Sequence, residues 1–140
     1  MPDNIERSVK EKIGAVLEKL GRSGRAISIY FCAEEEMRRL NKEYRDVDSP
    51  TDILSWSYEQ DQPETPSEHA LWGELALCVD VSRRQSRDRG LDLETEILRL
   101  LVHGVAHLTG KDHEKSEEDE RRMLQLEIEL LSSLGVVGIY

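Results

Sequence analysis

The sequence predicts one α/β (α+β) domain that covers residues 1–140. Apolar residues alternate in three short stretches, as they do in β-strands, and recur at three- and four-residue steps in five others, as they do in amphipathic helices. A chain of 140 residues suits a single domain that buries a core without disulfide bonds. Strands that alternate with helices are typical of a sheet covered by helices.

The first half of the chain contains two predicted helices and two predicted strands. Residues 3–20 are predicted to be helical, with Asp3 as the N-cap and Gly21 as the stop. Residues 27–31 alternate as a strand, residues 34–44 return to helical spacing, and residues 52–58 follow a turn as a second strand. Residues 59–71 are polar with two prolines, which predicts a surface loop.

The second half contains one predicted strand and three predicted helices. Residues 74–79 are the third strand, and Asp80 is expected to cap a short helix that ends near residue 89. A long apolar helix over residues 93–109 is capped by Asp92, and Ser116 with Asp119 resembles a capping box that opens a last helix. A further strand near Trp72 or in the long loop stays open at this point.

The composition limits the possible partners and compartments. The net charge of −10 does not favour nucleic acid, although eight basic residues on two helices could form a local rim or simply be solvated. These residues are Arg38, Arg39, Lys42, Arg45, Arg83, Arg84, Arg87 and Arg89. No apolar run reaches the ~20 residues of a membrane span, and the N-terminus lacks a signal-peptide pattern. We therefore expect a cytoplasmic protein whose Cys32 and Cys78 are reduced core thiols.

Three of the four histidines fall within eleven residues and predict a metal site. His103 and His107 are one helical turn apart on the same face, so that both imidazoles can bind one ion. Gly110 suits a left-handed helix end, after which the chain can offer His113 as a third ligand. His69, alone in the polar loop, is interpreted as a spectator.

The donor set favours a single zinc ion with a catalytic function. Three protein ligands leave one coordination position for water, whose pKa zinc can lower to about 7. Nickel, cobalt and copper also suit three imidazoles. Zinc peptidases place a glutamate directly after the first histidine, but here that position is Gly104, so peptide hydrolysis is disfavoured. Gly104 is expected to leave room beside the ion for a phosphate.

These motifs resemble the YbeY endoribonucleases, which are bacterial ribosomal RNA maturation factors. Residues 103–113 (HGVAHLTGKDH) are similar to the family's HGxxHLxGxDH signature. Residues 40–45 (LNKEYR), 50–56 (PTDILSW) and 73–74 (GE) resemble three further family segments in the same order. The likeness covers roughly residues 37–115. Trp56 with Ser57 stands where the family usually has Phe-Pro.

The resemblance implies a mixed four-stranded sheet with about five helices and a metal-dependent, single-strand-specific endoribonuclease. It implies maturation of the 3′ end of small-subunit ribosomal RNA, ribosome quality control, and contacts with a small-subunit ribosomal protein and an Era-type GTPase. It assigns catalytic roles to Arg45, His103, His107 and His113, the three histidines being the metal ligands.

Several assignments keep an alternative at this point. Arg45 either binds the scissile phosphate through its planar guanidinium or is a solvated residue at a helix end. Thr51 and Asp52 fit ordinary turn chemistry, and Asp112 or Glu114 either supports a metal-bound imidazole or is solvated. The rival function is a ribosome-assembly binding factor with a mainly structural metal site.

Overall fold

The computed structural model describes residues 1–21, 26–58, 71–109 and 116–140. Five helices and three strands are formed by these residues. In chain order they are α1 (Asp3–Lys19), β1 (Ala26–Cys32), α2 (Glu34–Arg45), β2 (Ile53–Ser57), β3 (Leu71–Cys78), α3 (Val79–Arg89), α4 (Leu93–Thr109) and α5 (Glu117–Ser133). The α+β class and the alternation of elements are confirmed.

The three strands form one mixed sheet in the order β1-β3-β2. β1 runs parallel to β3, with Ile29 opposite Leu75, and β2 runs antiparallel to β3, with Ser55 opposite the same Leu75. The described residues therefore give three strands where four were expected. Trp72 does not start a separate strand, because β3 begins at Leu71 and pairs with β1 from there. Of the loop predicted for residues 59–71, residues 59–70 lie outside the described residues, and Leu71 belongs to β3.

Both faces of the sheet are covered by helices. The main core lies between the sheet and helices α1, α4 and α5, and it contains Val9, Leu77, Leu101 and Leu131. A smaller core on the other face packs Met37 of α2 against the sheet. β2 pairs only with β3 among the described residues, so its other edge lies at the side of the sheet.

Two of the four predicted helix caps are confirmed. Asp92 accepts the backbone N–H of Thr95 at 2.8 Å, and Ser116 accepts that of Asp119 at 3.1 Å. Hydrogen bonding from Thr95 lowers the pKa of the Asp92 carboxyl. Each side chain thereby satisfies a backbone donor that the first turn leaves unpaired.

The predictions for Asp3 and Asp80 as caps were wrong. Pro2 is the N-cap of α1, and its carbonyl accepts the N–H of Ile5. Asp80 lies inside the first turn of α3, and its carboxylate accepts the N–H of Glu34 at 2.9 Å. Asp80 therefore stabilises the N-terminus of the neighbouring α2, which local sequence rules do not reveal.

Gly104 is required by packing of α4 against the sheet. A Cβ atom at this position would lie 2.9 Å from Leu75 Cδ2 and 3.0 Å from Ile53 Cδ1. The glycine thus lets the helix approach β3 and β2, and the expected room for a phosphate beside it stays a prediction.

Cys32 and Cys78 are buried and free, as predicted. Burial, followed by the charge of neighbouring groups, raises the pKa of the Cys32 thiol to about 11. None of the helices in the described ranges has the length and apolar character that crossing a membrane requires.

Candidate metal centre

A cavity of about 560 Å³ lies between α4, β2 and the end of α2. Its walls include His103 and His107 of α4, Arg45 of α2 and Ser55 of β2. Three residues that the sequence predicts as site residues, distant along the chain, therefore line one space. The fourth, His113, lies outside the described residues, as do Asp112, Glu114 and His69.

The two histidines converge at their Nε2 atoms. His103 Nε2 and His107 Nε2 are 2.9 Å apart, and the ring centroids are 4.3 Å apart. Two nitrogens bound at 2.0–2.1 Å to one tetrahedral zinc ion would be about 3.3 Å apart. At 2.9 Å the two nitrogens are at hydrogen-bond distance, so one of them carries a proton. Once that proton has left Nε2, a small outward movement of either ring would let both Nε2 atoms bind the same ion.

Glu127 of α5 fixes the other side of His103. Its carboxylate contacts His103 Nδ1 and also accepts a hydrogen bond from the Tyr140 hydroxyl at 3.2 Å. A carboxylate can only accept here, so Nδ1 carries the proton and the Nε2 lone pair faces the cavity. Burial, then the charge and hydrogen bond of Glu127, raises the pKa of Tyr140 to about 12.

This arrangement fits a metal ligand, because metal-bound histidines usually donate their second N–H to a carboxylate. Among the residues that the structure describes, no group of three or more His, Cys, Asp or Glu side chains is arranged to hold a metal ion. His103 and His107 supply two nitrogen donors, and a third has to come from a residue such as His113.

Arg45 lies at the mouth of the cavity. Its Nη2 donates to the carbonyl oxygen of Ser55 on the side edge of β2 at 3.5 Å, and its side chain is exposed. Since α2 packs on one face of the sheet and α4 on the other, this guanidinium reaches around the edge strand to the histidine side. The structure thus puts a cation beside the histidine pair.

Arg99 is a cavity residue that the sequence analysis missed. It precedes His103 by four residues, so Arg99, His103 and His107 form one stripe along α4. Its guanidinium donates to the carboxylate of Glu96, which is fully buried. Burial lowers the pKa of Arg99, but the hydrogen bond and charge of Glu96 outweigh this effect and hold the pKa above its usual value.

Glu127 and Tyr140 were missed as well. The sequence pattern could have indicated Glu127, because it is a carboxylate on the apolar stripe of α5, next to Leu126 and four residues before Leu131. No such pattern indicates Tyr140, since it lies beyond the last helix.

Asp52 has a structural function before β2. One of its carboxylate oxygens accepts the N–H of Ile53 at 2.7 Å and the other accepts from Gln85 Nε2 at 3.3 Å. Its own carbonyl oxygen accepts the N–H of Cys78 at 2.9 Å. These contacts anchor the start of the strand that lines the cavity.

Three of the eight basic residues in the rim suggested by the sequence form ion pairs with acidic side chains. Arg84 pairs with Glu34 at 2.8 Å, and Arg38 pairs with Asp48 at the same distance. Arg39 likewise contacts Glu36. The arginines that line the cavity are Arg45 and Arg99.

The fold and this cavity define a class of α+β domain in which a histidine pair and an arginine share one cleft. The family model described as "Endoribonuclease YbeY" matches residues 1–135 of the chain. The chain belongs to this family.

Two curated relatives carry the same name. The endoribonuclease YbeY of Aquifex aeolicus is 39% identical over 133 residues, which cover 95% of this chain and 83% of the relative. The protein of Persephonella marina is 31% identical over 129 residues, which cover 92% of this chain and 83% of the relative.

The solution structure of TM1509 from Thermotoga maritima has a similar fold. The TM-score is 0.61 at 24% identity, and the match covers 94% of this chain and 84% of TM1509. This likeness supports the fold.

Proposed function

We propose that this chain is a zinc-dependent, single-strand-specific endoribonuclease that hydrolyses phosphodiester bonds in ribosomal RNA precursors. Its relatives are named endoribonucleases, which makes RNA the substrate class. The single observation that supports a metal-dependent reaction is the convergence of His103 Nε2 and His107 Nε2, 2.9 Å apart, inside a cavity that also contains Arg45.

His103, His107 and His113 would hold the ion. Glu127 keeps the proton of His103 on Nδ1, which leaves the lone pair of Nε2 available as a metal ligand. Zinc in this position would polarise the scissile phosphodiester and make water nucleophilic at neutral pH.

The two arginines have different tasks in this proposal. Arg45 is exposed at the mouth and can pair its guanidinium with two phosphate oxygens of an incoming strand. It would thereby orient the phosphate and offset the charge that develops in the transition state. Arg99 is held by Glu96, so it adds a fixed positive charge to the wall.

The cellular assignment extends the family likeness. The 3′ end of small-subunit ribosomal RNA is the proposed processing site. The proposed compartment is the cytoplasm, and the protein is also proposed to act in ribosome quality control. A small-subunit ribosomal protein and an Era-type GTPase are the proposed protein partners. A protein with a net charge of −10 fits a reaction in which such a partner contributes affinity for RNA.

The test compares two histidine variants. His107→Ala should lose both bound zinc, measured by elemental analysis, and cleavage of a single-stranded ribosomal RNA precursor. His69→Ala is the matched control, because we interpret His69 as a spectator, and it should keep both. Cleavage that persists in metal-free His107→Ala would refute the proposal. Bound zinc without any cleavage by the unmodified protein would instead favour the assembly-factor alternative.

A further inference from the structure

A second pocket, of about 380 Å³, lies on the face of the sheet opposite the histidines. Four of the chain's seven aromatic residues line it, one each from β1, α2, β2 and the position directly after β2. These four are Tyr30, Tyr44, Trp56 and Tyr58. The function proposed above does not use them, and we refer to them as the aromatic pocket.

The rings of the aromatic pocket are ordered and yet accessible. Tyr44 and Trp56 pack edge to face with centroids 5.1 Å apart, and the Tyr58 hydroxyl donates to Glu74 at 2.9 Å. Nevertheless, Tyr30 is 50% exposed and Tyr44 is 54% exposed. Large flat apolar surfaces held in place and left open are what a stacking ligand requires.

The charge of the pocket determines which part of a nucleotide can enter. Glu36 and Glu74 line it together with the aromatic rings. Arg39 pairs with Glu36, whereas Glu74 accepts from the neutral Tyr58 hydroxyl and keeps its negative charge at the pocket. The Glu74 carboxylate disfavours a phosphate there, but it can accept hydrogen bonds from amino groups on base edges. A nucleobase therefore suits this pocket and a phosphate does not.

The aromatic pocket and the cavity with the histidine pair are separate, but consecutive residues of α2 and of β2 line the two. Tyr44 and Arg45 are consecutive residues at the end of α2, one in each wall. Ser55 and Ser57 line the cavity, while Trp56 between them lines the aromatic pocket. Neighbouring strand residues point to opposite faces of the sheet, which explains this alternation. Arg45 crosses the edge itself through its contact with the Ser55 carbonyl.

We propose that the aromatic pocket binds a nucleobase of single-stranded RNA, while Arg45 holds a phosphate of the same strand at the edge of β2. This inference rests on the proposed function, since it extends the substrate path of that site. A base within a duplex cannot use the pocket, because stacked neighbours cover its faces and pairing occupies its edge. The pocket therefore suits a single strand.

Tryptophan fluorescence and binding affinity test the proposal with the full chain. The probe is a short single-stranded oligoribonucleotide, titrated in the presence of a chelator so that the proposed zinc-dependent hydrolysis cannot cleave it. Its binding should quench the emission of Trp56, while the fully buried Trp72 provides a constant background. Tyr44→Ala should weaken binding roughly 5- to 100-fold, the range for losing one stacked base.

Three controls separate stacking from other effects. Tyr44→Phe keeps the ring and should bind as the unmodified protein does. Leu124→Ala removes an exposed apolar side chain of α5, far from the pocket in the fold, and should have no effect. An abasic oligomer with the same backbone should bind Tyr44→Ala and the unmodified protein equally well. Thermal melting checks that each variant is folded.

The possible failures are distinguishable. If folded Tyr44→Ala binds the oligomer as tightly as the unmodified protein, the pocket is not a base site, whatever the cleavage assay gives. If Tyr44→Ala instead changes the oligomeric state and not the RNA affinity, the pocket binds a second copy of the chain and the proposal is wrong. Cleavage by metal-free His107→Ala would overturn the proposed reaction, while the Trp56 quenching would still report on the pocket.

Discussion

Replacing Glu127 by Gln should weaken zinc binding without unfolding the protein. Glu127 is 4% exposed, and its carboxylate contacts His103 Nδ1 and accepts from the Tyr140 hydroxyl. Gln has nearly the same volume, so the substitution removes the negative charge and leaves the packing in place. It also adds an N–H donor, which no longer forces the His103 proton onto Nδ1.

The size of the effect follows from this contact. Loss of the carboxylate that supports a metal-bound histidine typically costs 10- to 100-fold in affinity. We therefore expect the Kd for zinc to rise by about that factor in Glu127→Gln, which corresponds to roughly 1.4–2.8 kcal/mol. Tyr140→Phe removes one hydrogen bond to Glu127 and leaves the contact with His103, so its effect should be smaller.

Competition with a chromophoric chelator at fixed pH measures these affinities. Nitrogen NMR of the metal-free proteins adds a readout that a general loss of stability would not change. His103 should be the Nδ1–H tautomer in the unmodified protein and a mixture in Glu127→Gln. Equal zinc affinities in folded Glu127→Gln and the unmodified protein would show that the carboxylate does not support the ligand, and the argument would be refuted.

Three further changes should alter stability, as measured by urea unfolding. Gly104→Ala should destabilise the fold by about 1 kcal/mol, because overpacking outweighs the better helix propensity of Ala. Gly14→Ala should stabilise it by roughly 0.5–1 kcal/mol, because a Cβ there would meet nothing within 4 Å. The opposite order of stabilities would contradict the packing argument. Arg99→Met should cost about 3 kcal/mol, because it removes the guanidinium that hydrogen-bonds to the buried Glu96 carboxylate and leaves Arg89 at 3.8 Å as its cationic neighbour. A loss below about 1 kcal/mol would show that Arg89 compensates. Asp92→Ala should cost about 1 kcal/mol at neutral pH. Since the folded pKa of Asp92 is lowered, the stabilisation is present above the unfolded pKa of about 3.9 and is lost as the pH falls through the folded pKa, so the two proteins should converge in acid.

Local rules predicted the parts of the fold and site that one segment determines by itself. The spacing of His103 and His107 places both rings on the same side of α4, whatever surrounds the helix. The caps at Asp92 and Ser116 are confirmed for the same reason, since the acceptor and the donor are three residues apart.

The missed features join segments that are distant in the sequence. Glu127 reaches His103 from another helix, 24 residues further along the chain. Asp80 has the composition of a cap for its own helix, but it accepts from Glu34, 46 residues earlier, because α2 and α3 begin next to each other. The start of β3 at Leu71, three residues before the predicted Glu74, is set likewise by pairing with distant β1.

The burial pattern of α4 sets a polar stripe apart from the rest of this helix. Between residues 96 and 108, only Arg99, His103 and His107 are not buried. A polar stripe on a helix that is otherwise enclosed needs partners, because an unpaired polar group away from water is costly. Glu96 hydrogen-bonds to Arg99, and Glu127 contacts His103.

The apolar contacts on the rest of α4 therefore hold the histidine spacing rigid before any ion binds. An ion bound by His103 and His107 would order little new structure there, so less of its binding free energy is offset by lost conformational entropy. In the proposed site, His113 would be a third ligand added to a pair that already converges. Replacing His113 should on this reasoning reduce the affinity for zinc and leave the 2.9 Å approach of the two Nε2 atoms unchanged.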